Sequence, residues 1–142
     1  RNGGGKRGEM AFWQRDLDGV LGSPPEGRFV LLGNGNLDPV DGEGRKGTSR
    51  ALLTDPRLQD PAPRRPGPVP PEQGHRGDPA LDTVAWPPPG PGNRRVSYIL
   101  PSADLTLMDA GVFWPPEEDP HSDTVAQASR HRLVWVDIAI DW

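Results

Sequence analysis

Residues 28–39, Arg28-Phe29-Val30-Leu31-Leu32-Gly33-Asn34-Gly35-Asn36-Leu37-Asp38-Pro39, constrain this chain more than any other stretch. Pro (19) and Gly (18) make up more than a quarter of the 142 residues, and only 33% are hydrophobic, so any core must come from a few concentrated apolar runs. Phe29, Val30, Leu31 and Leu32 form such a run and read as a short strand buried on both faces. The run stops at Gly33, and polar groups follow where the strand leaves its sheet. In open α/β sheets ligands gather at that position. Asn34 and Asn36 are two residues apart, so in extended geometry their side chains point the same way. Asp38-Pro39 then turns the chain, because proline fixes its φ and has no N–H to donate. The stretch reads as a strand delivering two amides to a cleft.

The remaining elements are placed around it. Residues 1–8 are Gly-rich and basic and read as a loop. Residues 9–21 carry Met10, Trp13, Leu17 and Val20/Leu21 at helical spacing, with Gly22 and Pro24-Pro25 as the stop and Trp13 as a core anchor. Residues 38–44 form an acidic loop without calcium-loop spacing, hence a solvated turn. Residues 48–54 read as a short helix with Ala51, Leu52 and Leu53 inward. Most of the prolines fall in 61–92, and 61–77 have so little to bury that they read as a mobile excursion. Within it, Pro68-Val69-Pro70-Pro71 is a weak polyproline recognition pattern. Order resumes at 80–86, where Asp82 and Thr83 are placed to line the cleft. Trp86 reads as covering a sheet edge in preference to stacking a base. Residues 95–101, 105–113 and 133–140 are further strands, and 117–127 form a polar connection with one helical turn. Strands outnumber helices, which gives a layered α/β fold.

The charge of −4 gives no general basic character for nucleic acid. There is no cysteine, hence no disulfide framework or thiolate metal site, and no apolar run near the ~20 residues of a membrane helix. Compartment stays open. His75, His121 and His131 lack zinc-site spacing. Gly33-Asn34-Gly35 lacks the third glycine and the following helix of a dinucleotide-binding turn.

Three stretches together resemble the motifs of the endonuclease/exonuclease/phosphatase superfamily. Gly33-Asn34-Gly35-Asn36 is similar to its Gly-Asp-x-Asn. Arg95-Val96-Ser97-Tyr98-Ile99-Leu100-Pro101-Ser102 is similar to its Arg-x-Asp-Tyr-Ile-Leu-x-Ser. Ser129-Arg130-His131-Arg132 is similar to its terminal Ser-Asp-His-Arg. They occur in the family's order, each beside an apolar strand. The resemblance implies a deoxyribonuclease-like four-layer α/β sandwich. Residues 1–142 would form about its C-terminal half, since nothing matches the family's metal-binding Glu and early Asn. It also implies metal-dependent hydrolysis of a phosphoester or phosphodiester, with magnesium as the usual cation. The substrate carries phosphate, as nucleic acid, nucleotide or phospholipid headgroup.

By the same resemblance, the catalytic positions are Asn34, Asn36 and His131. The first orients or deprotonates water, the second stabilises charge on phosphorus oxygens, and the third contacts the phosphate or moves a proton. Ser97 and Arg130 fall where the family has Asp, in orienting or phosphate-contacting positions. All three departures (Asn34, Ser97, Arg130) lose a carboxylate. Asn34 cannot act as a base, Ser97 is too short to reach an imidazole, and Arg130 cannot coordinate a cation. The expectation is an impaired or inactive family fragment, with magnesium disfavoured for this chain. The competing reading is a non-catalytic phosphate-binding or structural α/β module.

Overall fold

The computed structural model describes residues 5–42 and 46–141. The expectations for residues 1–4 and 43–44 lie outside the described residues. Helices are α1 (Gly5–Leu17), α2 (Lys46–Leu53) and α3 (Ser122–Ala128), with one 3-10 turn at Pro79–Leu81. Strands are β1 (Val30–Asn34), β2 (Val84–Trp86), β3 (Gly92–Arg94), β4 (Ser97–Pro101), β5 (Thr106–Phe113) and β6 (Leu133–Ala139). The chain is mixed α/β. Its strands do not form one continuous sheet. They pair antiparallel as β1–β4, β2–β3 and β5–β6, and isolated bridges link Val84 to His131, Leu58 to Ser102 and Arg64 to Gly111. Prolines 87–89, 91 and 115 flank these pairs and Pro101 ends β4, and a residue without an N–H cannot extend a ladder.

Helix α1 begins at Gly5, so residues 5–8 are helical and not looped, and it ends at Leu17, before the expected Leu21. The stop is Gly19 at φ 71, whose N–H reaches Asp16 O at 3.0 Å, while Val20 N–H reaches Arg15 O at 2.9 Å. Those two bonds satisfy the last helix carbonyls, and only glycine takes that φ without cost. Val20 and Leu21 therefore lie outside the helix and are exposed. Met10 and Leu17 are buried, and Trp13 packs against them. In α2, Leu52 is buried and Leu53 packs on the core, but Ala51 faces solvent.

The core is Met10, Leu17, Leu37, Leu52, Leu58, Tyr98 and Leu100, with Trp13, Phe29, Leu31 and Leu53 packed against it. It lies between α1/α2 and one face of β1–β4, where Leu31 opposes Leu100 and Gly33 opposes Tyr98. On the opposite face Leu32 is 67% exposed while Ser97 and Ile99 are half-buried and Pro101 is buried, so that face is only partly covered and β1 is not buried on both faces. Glycine at 33 and 35 lets α1 approach the strand. A Cβ at Gly33 would fall 2.7 Å from the Trp13 ring, and one at Gly35 would fall 2.5 Å from Met10 Sδ.

Arg57 ties the end of α1 to α2, donating to Leu17 O, to Asp18 at 2.7 Å and to Asp55 at 2.7 Å. That partner, against the opposing cost of burial, holds the Asp55 carboxyl well below the usual range. Residues 61–77 carry no helix or strand. Arg64 O accepts from Val112 N–H at 3.1 Å, and Asp41 receives Arg76 and Gly77 N–H at 2.7 Å each. Strand β3 was not legible among the surrounding prolines. No helix among the described residues is long and apolar enough to cross a membrane.

Candidate functional site

β1 continues through Gly33 and ends at Asn34, which stands directly opposite Ser97 in β4. Cross-strand partners share a face, so both side chains lie on the face away from the core. The backbone remains paired one residue further, with Gly35 N–H on Val96 O at 2.9 Å. It then turns. Asn36 has φ 46, and its N–H donates to Asn34 Oδ1 at 3.1 Å. The two amides are therefore not presented side by side from an extended strand, as their spacing suggested. Asn34 closes a side-chain turn that the left-handed Asn36 completes, a conformation asparagine tolerates better than most residues.

A buried polar frame fixes this turn from behind. Asp38 accepts Val40 N–H at 2.8 Å and Asp41 N–H at 2.7 Å through Oδ1, and Arg95 N–H at 2.7 Å through Oδ2. Tyr98 donates to Leu37 O (2.6 Å) and also lies 2.8 Å from Arg95 O. Burial pushes its phenol well above the ordinary value. Arg95 forms a two-pronged contact with Asp60 at 2.8 and 2.5 Å, and its guanidinium stacks 5.1 Å from the Tyr98 ring. Pro39 had marked Asp38 as a turn residue. Its reach to Arg95, 57 positions away, had no local signal.

Thr83 supplies the lateral fastening. Its buried hydroxyl accepts from the N–H groups of Val96 and Ser97, both at 3.0 Å, and its carbonyl accepts from Arg132 N–H at 2.8 Å. Ala85 N–H donates to Arg130 O at 2.9 Å. These bonds bring residues 130–132 alongside β2 and carry His131 to Asn34. Asn34 Nδ2 is 3.4 Å from each His131 ring nitrogen. The Trp86 ring stands edge-on to the imidazole, 6.1 Å between centroids at 87°. Burial first, then the Arg132 charge, holds His131 below its usual pKa, so the ring is neutral at pH 7.

Thus Asn34 meets both Ser97 and His131. The Asn36 side chain and the Ser97 hydroxyl make no hydrogen bond with a described residue, and Arg130 is exposed with its guanidinium likewise unengaged. Asp82 and Thr83 are buried beside this junction. Burial, then Asp38 and Glu72, push the Asp82 carboxyl up to about 7. Among the described residues no group of three or more His, Asp or Glu could hold a metal ion. The groups that meet Asn34 are the Asn36 backbone N–H, Ser97 across the strand pair and the neutral His131 imidazole. Such a set suits an oxyanion, whereas a hard divalent cation needs carboxylate oxygens. The residues present therefore do not fit magnesium.

The family model described as Endonuclease/Exonuclease/phosphatase matches residues 2–131. No curated protein and no solved structure matches the chain.

Proposed function

The chain belongs to the endonuclease/exonuclease/phosphatase family, and from that premise we propose that it binds phosphate at Asn34, Asn36, Ser97, Arg130 and His131 without performing the family's hydrolysis unaided. The family is one of metal-dependent phosphoester hydrolases acting on phosphate-containing substrates. The observation that carries the reading is the approach of Asn34 Nδ2 to the His131 ring, 3.4 Å across 97 positions of sequence. Asn34 can donate its second N–H outward, and Arg130 brings a charge that no described carboxylate neutralises. Neutral His131 can donate one ring proton to a phosphate oxygen. No described carboxylate hydrogen-bonds Asn34 or His131 to activate water, so the reading stops at binding.

We read residues 1–142 as part of a four-layer sandwich, about its C-terminal half, with 61–77 a mobile Pro-rich excursion. The partly covered face carrying Leu32 supports this, because a sheet face with a large apolar side chain is ordinarily covered. The missing half would then be a partner of this one. The test is titration with inorganic phosphate, with and without magnesium or a chelator. Weak binding that neither addition changes is expected. Hydrolysis of a chromogenic phosphodiester should appear only when the missing half is supplied together with Asn34→Asp, Ser97→Asp and Arg130→Asp. Groups that act as a unit recover little when restored singly. Magnesium-dependent hydrolysis by a longer chain keeping Asn34, Ser97 and Arg130 would overturn the reading.

A further inference from the structure

Arg65, Trp114 and Arg132 come from three separate stretches, the Pro-rich segment, the end of β5 and the start of β6, and meet at one indole. The guanidinium carbon of Arg65 lies 4.5 Å from the Trp114 ring centroid, and that of Arg132 lies 4.6 Å from it. The two charges are thus no further apart than those distances together. Neither forms an ion pair with a described residue. Arg132 is only 9% exposed. It donates from one terminal nitrogen to Ser129 O at 2.6 Å and Arg130 O at 3.1 Å, while its Nε is buried without a partner. The Arg65 guanidinium donates to no described residue, and its Nε is buried and unpartnered too. Burial holds both groups below the ordinary arginine value, and Arg65 adds to the effect on Arg132.

A ring face restores only part of the hydration that a guanidinium loses on burial, and unmet buried donors are rare in folded chains. An acceptor is called for. Asp82 acts on Arg65 through space without a hydrogen bond, and it keeps its proton up to about pH 7. We propose that Arg65 and Arg132 form an oxyanion site at Trp114, taking a phosphate-like anion and separate from the Asn34–His131 pair. The separation follows from the chain path. Consecutive residues of an extended segment point to opposite faces. His131 meets Asn34 and Trp86, whereas Arg132 meets Trp114. Planar guanidinium forks match tetrahedral oxyanions through paired donors.

The test is an NMR titration of the Nε–Hε signals of Arg65 and Arg132 with inorganic phosphate at constant ionic strength, using chloride as the reference salt. Both signals should move together along one saturable curve. Arg65→Gln should weaken the response at Arg132 tenfold or more, while leaving the phosphate response of the His131 ring unchanged. Signals that stay still, that move equally in chloride, or that move at Arg132 undiminished in R65Q would overturn the site. The titration of the unaltered chain decides the question even where R65Q does not fold. A phosphate response at His131 alone would leave the Asn34 reading standing and remove this one.

Discussion

Asn34 is held at both ends of its amide, the oxygen by Asn36 N–H and the nitrogen against the His131 ring. A carboxylate of the same shape would keep the first contact and place a negative charge on the second. Asn34→Asp should therefore raise the His131 pKa from below its ordinary value to above it, strengthening proton affinity about tenfold or more. Ring-proton NMR against pH reads this directly, and an unmoved midpoint would mean the ring does not face position 34. Asp82 gives a second expectation. Its carboxyl is raised from 3.8 to about 7, so between those values the folded chain holds more protons than the unfolded one. Its stabilising contribution is full below about pH 4 and is lost as pH rises through 7. Asp82→Asn should flatten that part of the stability profile and raise Tm at pH 8 by a few degrees, at roughly 2–4 °C per kcal/mol for a domain near 150 residues. Unchanged profiles would show that Asp82 finds a partner or water in solution. Neither expectation was legible in sequence, because each depends on which charges surround a buried group.

At the level of elements, one hydroxyl fastens β2 to β4. Thr83 accepts two backbone N–H groups at 3.0 Å while 2% exposed, and its carbonyl also accepts from Arg132 N–H. Thr83→Val preserves shape and leaves both amides without an acceptor. Each buried unmet donor costs about 1–3 kcal/mol, so the loss should be at least about 2 kcal/mol in urea unfolding. A loss below about 0.5 kcal/mol would show that β2 docks on packing alone. The His131 resonances should broaden in the same variant, since His131 reaches Asn34 through that junction. Element positions were readable wherever apolar residues cluster, as in β4, β5, β6 and the Met10–Trp13–Leu17 stripe. Their ends were not. Gly19, not Gly22, stops α1, because the paired N–H bonds to Asp16 and Arg15 form there first.

For the molecule as a whole, apolar side chains remain on incompletely covered faces. Leu32 and Leu133 are 67% and 66% exposed, and Phe113 lies exposed opposite Leu133 on the β5–β6 ribbon, beside Trp135 over Gly111. Exposed strands with apolar faces associate. The chain alone should unfold broadly or self-associate at micromolar concentration, as followed by calorimetry and sedimentation. Phe113→Lys with Leu133→Lys should shift it toward monomer. A monomer with a sharp cooperative transition would show that these faces need no cover.

The sequence by itself determined the family, the α/β class and the residues at the strand ends, because apolar runs and short polar motifs are local properties. It carried the neighbourhood of Asn34, Ser97 and His131 only through resemblance. Tertiary structure decided the rest. The buried Asp38–Arg95–Tyr98 frame, the Thr83 fastening and the Arg65–Trp114–Arg132 stack each join residues distant in the chain. A buried donor or charge finds its partner by where the folded backbone places it, and no spacing along the chain encodes that placement.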